Sequence, residues 1–493
     1  MTRIACFACL AIALLAGGCG GAKRGPDPAD GKGPLSGMNV LLVTLDTTRA
    51  DHVSAYGATG REVPAGLTPV IDGVAAEGIL FENALSQTNS TNSSHVAIFS
   101  GQYALDSGIL NNETTFPGSV DILPQAFRRA GYKTAGFPAI AHVSETLLKL
   151  PGFDFTYPIP RSIDAEEVTD RFLGWLAENG DAPFFAWVHY YDPHTPYYAP
   201  PPYPQRFYKG DPTSGTAPRL IDDPYFRLAP VISKEQFGGV RDREYPKAMY
   251  RAEMRYTDTE LGRLLERLDE LGISDRTAVV LVADHGETLG EHRIYYSHFS
   301  LHETNLSIPL IFRLPGFDGA RTVAQPVTHL DLAPTLCELF DVSLETPDGL
   351  PGKSLVPLLR GEPSTEIDAR DLIIQEHSYN QQVSVREGPW KYVRRIVKTG
   401  YDLPEDMLFN LERDPRELRN LASREKDRTE AMRAHVKRWI DTGAWTVSNV
   451  PPGEDATDEE RARFEEQMRQ LERLGYVNPG AAPTGEDSEG ESK

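Results

Sequence analysis

Val40-Leu-Leu-Val-Thr-Leu45 is an unbroken apolar run that ends in Asp46. A run of this length without polar alternation is the pattern of a strand buried on both faces, as in a parallel sheet. An acid at its carboxyl end stands where open α/β sheets place their ligands. The pattern recurs down the chain. Pro183-Phe-Phe-Ala-Trp-Val188 runs into His189-Tyr-Tyr-Asp-Pro-His194, and Thr277-Ala-Val-Val-Leu-Val-Ala283 runs into Asp284-His285-Gly286-Glu287. Pro309-Leu-Ile-Phe312 is a fourth apolar run. Between them lie helical segments at 68–77 (Thr68 as cap, Pro69 in the first turn), 121–130 and 247–271, the last long and amphipathic. Strands alternating with helices predict an α/β domain whose central sheet is mostly parallel, with helices on both faces.

The stretch 81–101, FENALSQTNSTNSSHVAIFSG, is a hydroxyl-rich loop that feeds a short amphipathic turn, His95-Val-Ala-Ile-Phe99, and stops at Gly101. Thr91 stands at the mouth of that turn, where its oxygen can cap unpaired backbone N–H groups. The same N–H groups and the positive end of the helix dipole make an anion site over Thr91. A hydroxyl beside an anion pocket becomes a nucleophile once its proton is removed. A plain helix cap is the simpler reading of Thr-Asn-Ser-Ser alone. Asp46 and Asp284-His285 change the balance: two carboxylates and an imidazole converging on one sheet rim can hold a divalent cation. Such a cation would lower the pKa of the hydroxyl and neutralise a tetrahedral oxyanion.

The ends of the chain read differently. Residues 1–18 carry one cation, Arg3, and an apolar run from Ile4 to Ala16, too short to span a bilayer and typical of an export signal. Ala16-Gly-Gly-Cys19 resembles a lipobox, in which Cys19 becomes the lipid-bearing first residue of a bacterial lipoprotein, although Leu15 lies one position further from Cys19 than usual. Plain secretion is the alternative. The resemblance implies an exported protein held at the outer membrane, in the periplasm or at the cell surface, and in contact with membrane through the lipid on Cys19. Residues 19–37, rich in Gly, Pro and Asp, form a flexible tether. Of four cysteines, Cys6 and Cys9 leave with the signal and Cys19 is taken by lipid, so Cys337 alone cannot build a disulfide or a thiolate metal site. The formal net charge is −21, and −22 once Arg3 is removed (−21 − 1); with no basic run to offset it, nucleic acid is excluded as a partner. The 493 residues accommodate a catalytic domain at 38–370, a C-terminal subdomain at 371–445 with a small sheet and a packing helix near 426–442, and an acidic tail at 446–493. Within the tail, 471–477 is apolar enough to dock back on the body.

The chain resembles a sulfatase of the alkaline phosphatase superfamily. Leu45-Asp-Thr-Thr-Arg-Ala-Asp-His52 resembles that family's opening metal motif, and Ser94-His95-Val-Ala-Ile-Phe-Ser-Gly101 the end of its nucleophile motif. Val188-His-Tyr-Tyr-Asp-Pro-His-Thr-Pro196, Ala283-Asp-His-Gly-Glu287 and the segment from His298 through Pro309 to Gly316 resemble three more. Pro389-Trp-Lys-Tyr392 and the stretch from Leu408 to Leu421 resemble the C-terminal subdomain. The resemblance implies Asp46, Asp284 and His285 as metal ligands and Thr91 as nucleophile. It sets His95 beside the nucleophile, and makes His194 and His298 residues that bind the anion or protonate the leaving group. His189 stays open between motif residue and packed strand end; His292 and His302 read as surface or structural. The docking segment at 471–477 is likewise similar to one in many sulfatases.

The departures from the family divide the chemistry. Sulfatases oxidise the Cys or Ser of Cys/Ser-x-Pro-x-Arg to formylglycine, whereas this pentad is Thr91-Asn-Ser-Ser-His95. Thr47 replaces a frequent second acid, and Ala139 and Ala141 stand where a Lys and a His are common. The resemblance as a whole implies a metal-dependent hydrolase of sulfate esters, on a small molecule or a glycan, with one divalent ion, calcium. Metal-bound threonines elsewhere in the superfamily, in phosphodiesterases and phosphoethanolamine transferases, imply phosphate ester chemistry on zinc or manganese instead. A catalytically inactive lipoprotein that binds sulfated or phosphorylated glycans is the third reading. The insert at 200–245, rich in Pro, Tyr and Arg, stands as a candidate for the substrate mouth.

Overall fold

The computed structural model describes residues 32–441 apart from 58–62, 113, 225, 227–229, 347–348, 377–381 and 397–402, with backbone alone at 230–233. The export signal, Cys19, most of the tether and the acidic tail with its 471–477 segment lie outside the described residues.

The central sheet has seven strands in the order β10 (Arg321–Val323), β2 (Ile79–Phe81), β9 (Leu310–Arg313), β6 (Thr277–Ala283), β1 (Asn39–Leu45), β5 (Phe184–Tyr190) and β4 (Lys133–Phe137). β1 lies at its middle and is parallel to β5 and β6; β4 is parallel to β5, and β10 to β2. β9 alone runs against its neighbours β2 and β6. The mostly parallel sheet expected from the apolar runs is therefore present. Every residue of β1, β5 and β6 is buried, as a sheet covered on both faces requires. The helices sit close to their expected positions, at Pro69–Glu77, Leu123–Arg129 and Glu244–Glu270.

Two small pairs flank this sheet: β3 (Ala84–Leu85) with β11 (Val327–Thr328), and β7 (Thr288–Leu289) with β8 (Tyr295–Ser297). A second, antiparallel sheet follows in chain order, β12 (Ile373–Glu376), β13 (Gln382–Glu387), β14 (Trp390–Arg395) and β15 (Asp406–Asn410). The helix Lys426–Asp441 packs Met432 and Val436 against its Val383, Val385, Tyr392 and Leu408. This is the expected C-terminal sheet with its helix. It is tied to the catalytic domain by the Gln87 side-chain amide, which donates to the Ile374 carbonyl, and by a bridge from Thr88 to Glu376.

Register sets the functional rim. Leu45 pairs with Tyr190 on one side and with Ala283 on the other. The next residues, Asp46 and Asp284, therefore emerge side by side at the carboxyl ends of adjacent parallel strands. Thr47 follows in left-handed backbone, φ 49°. That conformation is uncommon for a residue with a Cβ and typical of a functional turn.

Candidate active site

The helix Thr91–Ser100 differs from the amphipathic turn read from its sequence: all ten residues are buried. It sits inside the molecule, wedged at the rim. Thr91 is its first helical residue rather than its cap, which is Ser90. The Thr91 hydroxyl is buried without a hydrogen-bond partner. The capping work falls to Asn112, whose side-chain oxygen accepts from the Asn92 N–H at 2.9 Å and from the Ser90 hydroxyl at 3.0 Å. Gly101 closes the helix at φ 68°, a left-handed position with Ala333 Cβ and the Leu330 carbonyl 3.2 Å from where a Cβ would lie.

At the rim, Asp284 Oδ1 accepts the backbone N–H of His285 at 2.7 Å and that of Thr47 at 3.2 Å. Its Oδ2 has no partner. His285 commits Nδ1–H to the Gly286 carbonyl at 3.0 Å. Its Nε2 is thereby a bare lone pair, 3.5 Å from Asp284 Oδ2 and 4.0 Å from Asp46 Oδ1, and neither it nor Asp46 Oδ1 has a hydrogen bond. With both carboxyls ionised, these three acceptors have no donor between them and repel one another, and a divalent cation satisfies all three at once. The residues present therefore fit a metal. Burial and the Asp284 and Glu287 charges push the Asp46 carboxyl well up. Burial pushes Asp284 up to about 6 and His285 down to about 4.

His189, left open by its sequence, joins this cluster: suitable atoms of Asp46, His189 and Asp284 lie within 4.8 Å of one another. Its hydrogen bonds decide its part. The Ala139 N–H donates to His189 Nδ1 at 3.2 Å, so the ring proton sits on Nε2 and is donated to Asp46 Oδ2 at 3.3 Å. His189 orients a ligand and has no lone pair left for an ion.

His95 does not stand free beside the nucleophile. Its Nδ1–H donates to the Thr91 carbonyl at 2.7 Å, and its Nε2 accepts from the Thr44 hydroxyl at 2.9 Å. Trp187 Nε1–H donates to the same Thr44 oxygen at 2.9 Å. With both ring nitrogens committed, His95 pins the first turn of the helix to β1 and has no donor for a substrate.

His194 and His298 do meet, ring centroids 5.3 Å apart, and His298 lies 4.5 Å from the His285 ring. His194 commits Nδ1 to the Thr195 carbonyl at 2.5 Å and the Tyr191 hydroxyl at 2.8 Å. Burial holds its imidazole neutral, down to about 3. With Nδ1–H donated, Nε2 keeps its lone pair. Glu287, the last residue of the Ala283–Glu287 motif, has no role implied by the sequence; it is buried, pushed up to about 8 by desolvation, with Oε1 4.0 Å from His298 Nδ1. Its place two residues after His285 was the signal available. His142 had no signal of that kind.

His292, His302 and Glu417 form another grouping with suitable atoms within 4.8 Å. The two rings stack at 3.8 Å and 9°. Lone pairs of parallel rings do not converge on one point, and Glu417 already faces the buried Lys391 ammonium at 2.9 Å. The grouping is a packed seam between domains, in keeping with the structural reading of His292 and His302.

Comparison with known proteins bears on this geometry. The family model described as Sulfatase matches residues 38–342. One described as N-sulphoglucosamine sulphohydrolase, C-terminal, matches 290–442, beginning inside the catalytic domain rather than at 371. An N-acetylglucosamine-6-O-sulfatase of Bacteroides thetaiotaomicron is 24% identical over 78% of this chain and 82% of its own. The multifunctional alkaline phosphatase superfamily protein PehA of Trinickia caryophylli is 25% identical over 79% of this chain and 92% of its own. Among solved structures, the phosphonate monoester hydrolase of Agrobacterium radiobacter superposes with a TM-score of 0.64 at 23% identity, covering 83% of this chain and 96% of that one.

Proposed function

This chain belongs to the sulfatase family of hydrolases, and we propose that it is a metal-dependent hydrolase of sulfate esters in which the Thr91 hydroxyl replaces formylglycine as nucleophile. The observation that carries this reading is the set of buried, unpartnered atoms at one rim: Thr91 Oγ1, Asp46 Oδ1, Asp284 Oδ2 and His285 Nε2. Leaving such atoms unmet costs roughly 1–3 kcal/mol each, a strain that functional sites retain for a ligand.

Asp46, Asp284 and His285 would hold the ion, and their nitrogen donor favours zinc or manganese over calcium. When bound, the ion supplies Lewis acidity that makes a hydroxyl a better nucleophile and offsets oxyanion charge. Thr91 attacks sulfur: a Thr91 O–S bond forms as the ester S–O bond breaks. The Thr91 proton ends on the leaving oxygen, carried by His194 or His298, whose rings stand side by side. Water then displaces the threonine oxygen at sulfur and free sulfate leaves. The N-acetylglucosamine-6-O-sulfatase relative supports a sulfated glycan as the substrate class.

A second reading, attack on phosphorus in a phosphodiester or phosphonate ester, is supported by the threonine itself and by the PehA and phosphonate hydrolase relatives. Turnover of 4-nitrophenyl sulfate, bis(4-nitrophenyl) phosphate and 4-nitrophenyl phenylphosphonate separates the two. Thr91→Ala is expected to lower the preferred rate by about 1,000-fold or more. Equal rates in Thr91→Ala and wild type remove Thr91 as nucleophile, and no turnover of any ester by metal-loaded wild type supports the inactive, anion-binding reading.

A further inference from the structure

Two small apolar side chains lie in the segment after β4. Ala139 and Ala141 stand there. Ala139 is buried and uses its N–H to orient His189. The backbone then turns through Ala141–Val143, a short 3-10 helix, and this turn carries a different ring, His142.

His142 is fastened to the nucleophile helix. Its carbonyl accepts from the Asn92 side-chain amide at 3.0 Å. Asn92 directly follows Thr91, and its own N–H is held by Asn112 at 2.9 Å. The His142 Nε2 is buried and has no hydrogen-bond partner. So are the Thr91 hydroxyl, the Ser93 hydroxyl and the Asn92 side-chain oxygen on the adjoining helical turn. The groups acting electrostatically on His142 are the imidazoles of His194, His95 and His285, with no ammonium or guanidinium among them. Apart from the Asn92 oxygen, which only accepts, the unmet polar atoms at this site fall into two sets. Asp46, Asp284 and His285 offer lone pairs to a cation, whereas His142, Thr91 and Ser93 can each present a hydrogen to an anion.

We propose that His142 is an anion-binding residue of this site, donating Nε2–H to a non-bridging oxygen of the sulfuryl or phosphoryl group. The assignment rests on the reading of Thr91 as nucleophile, because the same first helical turn supports both. The resulting subsite binds with uncharged donors.

The test uses full-length protein loaded with its divalent metal, and inorganic sulfate and phosphate as separate calorimetric probes. His142→Ala is expected to weaken anion binding by about tenfold or more, the loss typical of a hydrogen bond to a charged group. KM for the turned-over ester rises in step, and metal content stays unchanged. His142→Gln, which restores an N–H donor, is expected to recover most of the affinity while Ala does not. Anion affinity in His142→Ala equal to wild type overturns the assignment and leaves a water or mere packing against the ring. Parallel loss of metal and anion in both variants also overturns it, since that is a structural effect. Sulfate calorimetry needs no turnover, so this result is independent of the Thr91→Ala rate comparison: an inert protein whose sulfate affinity depends on His142 keeps this assignment and loses the catalytic reading.

Discussion

Replacing Asp284 by Asn should make the metal-stripped protein more stable while removing its metal dependence. Burial raises the Asp284 carboxyl from 3.8 to about 6 in the folded state. A group held above its unfolded value binds its proton more tightly when folded, so its contribution is complete below about pH 4 and is lost as pH rises through about 6. The shift is roughly two units, or about 3 kcal/mol at pH 7. That is a sizeable share of a typical folding free energy. Asparagine keeps an Oδ1 to accept the Thr47 and His285 N–H groups and sheds the charge. In chelator-treated protein at pH 7.5, Asp284→Asn should therefore melt roughly 3–6 °C above wild type, with the gap closing toward pH 4. Added zinc or manganese should raise the wild-type melting point and leave that of the variant nearly unmoved, and activity should be lost. Scanning fluorimetry across pH, with and without metal, reads all of this. An Asn variant less stable than stripped wild type at pH 7.5 would refute the account of the rim as an electrostatic strain relieved by a cation.

Two further outcomes follow from contacts around the site. His189→Ala removes the donor that orients Asp46, and should weaken metal binding by about 10- to 100-fold; chelator competition measures it, and unchanged affinity would mean that Asp46 needs no such partner. Lys391 is buried between Glu303 at 2.7 Å and Glu417 at 2.9 Å. Lys391→Met should cost about 3–5 kcal/mol in urea unfolding by stranding two carboxylates, and a loss under 1 kcal/mol would show that the seam is wet.

The apolar runs made the sheet legible. Strands buried on both faces carry few polar positions to blur them, and the acids at their ends marked the rim. Asp46, Asp284 and His285 were found because the chain leaves the sheet at those residues. His95 lies beside Thr91 as its spacing implied, bonded to the Thr91 carbonyl, but sequence spacing does not say that Thr44 waits on β1 to occupy the other ring nitrogen. The helix was read as amphipathic because Asn, Ser and His normally face water; here they are enclosed, and a group's exposure depends on what packs over it.

What the sequence determined by itself was the α/β class, the mostly parallel sheet, the family resemblance and the identities of the rim residues. These depend on local pattern, hydrophobic runs and breaks, which each segment carries unaided. What only the tertiary structure decided was which atoms remain unpaired. The tautomers of His189 and His285, the bonded state of His95 and the open Nε2 of His142 all depend on partners tens to hundreds of residues away or on the turn of a backbone carbonyl. The division has a physical origin: burial follows composition over a few residues, whereas the direction of a hydrogen bond is set by whichever distant group the fold brings within 3 Å.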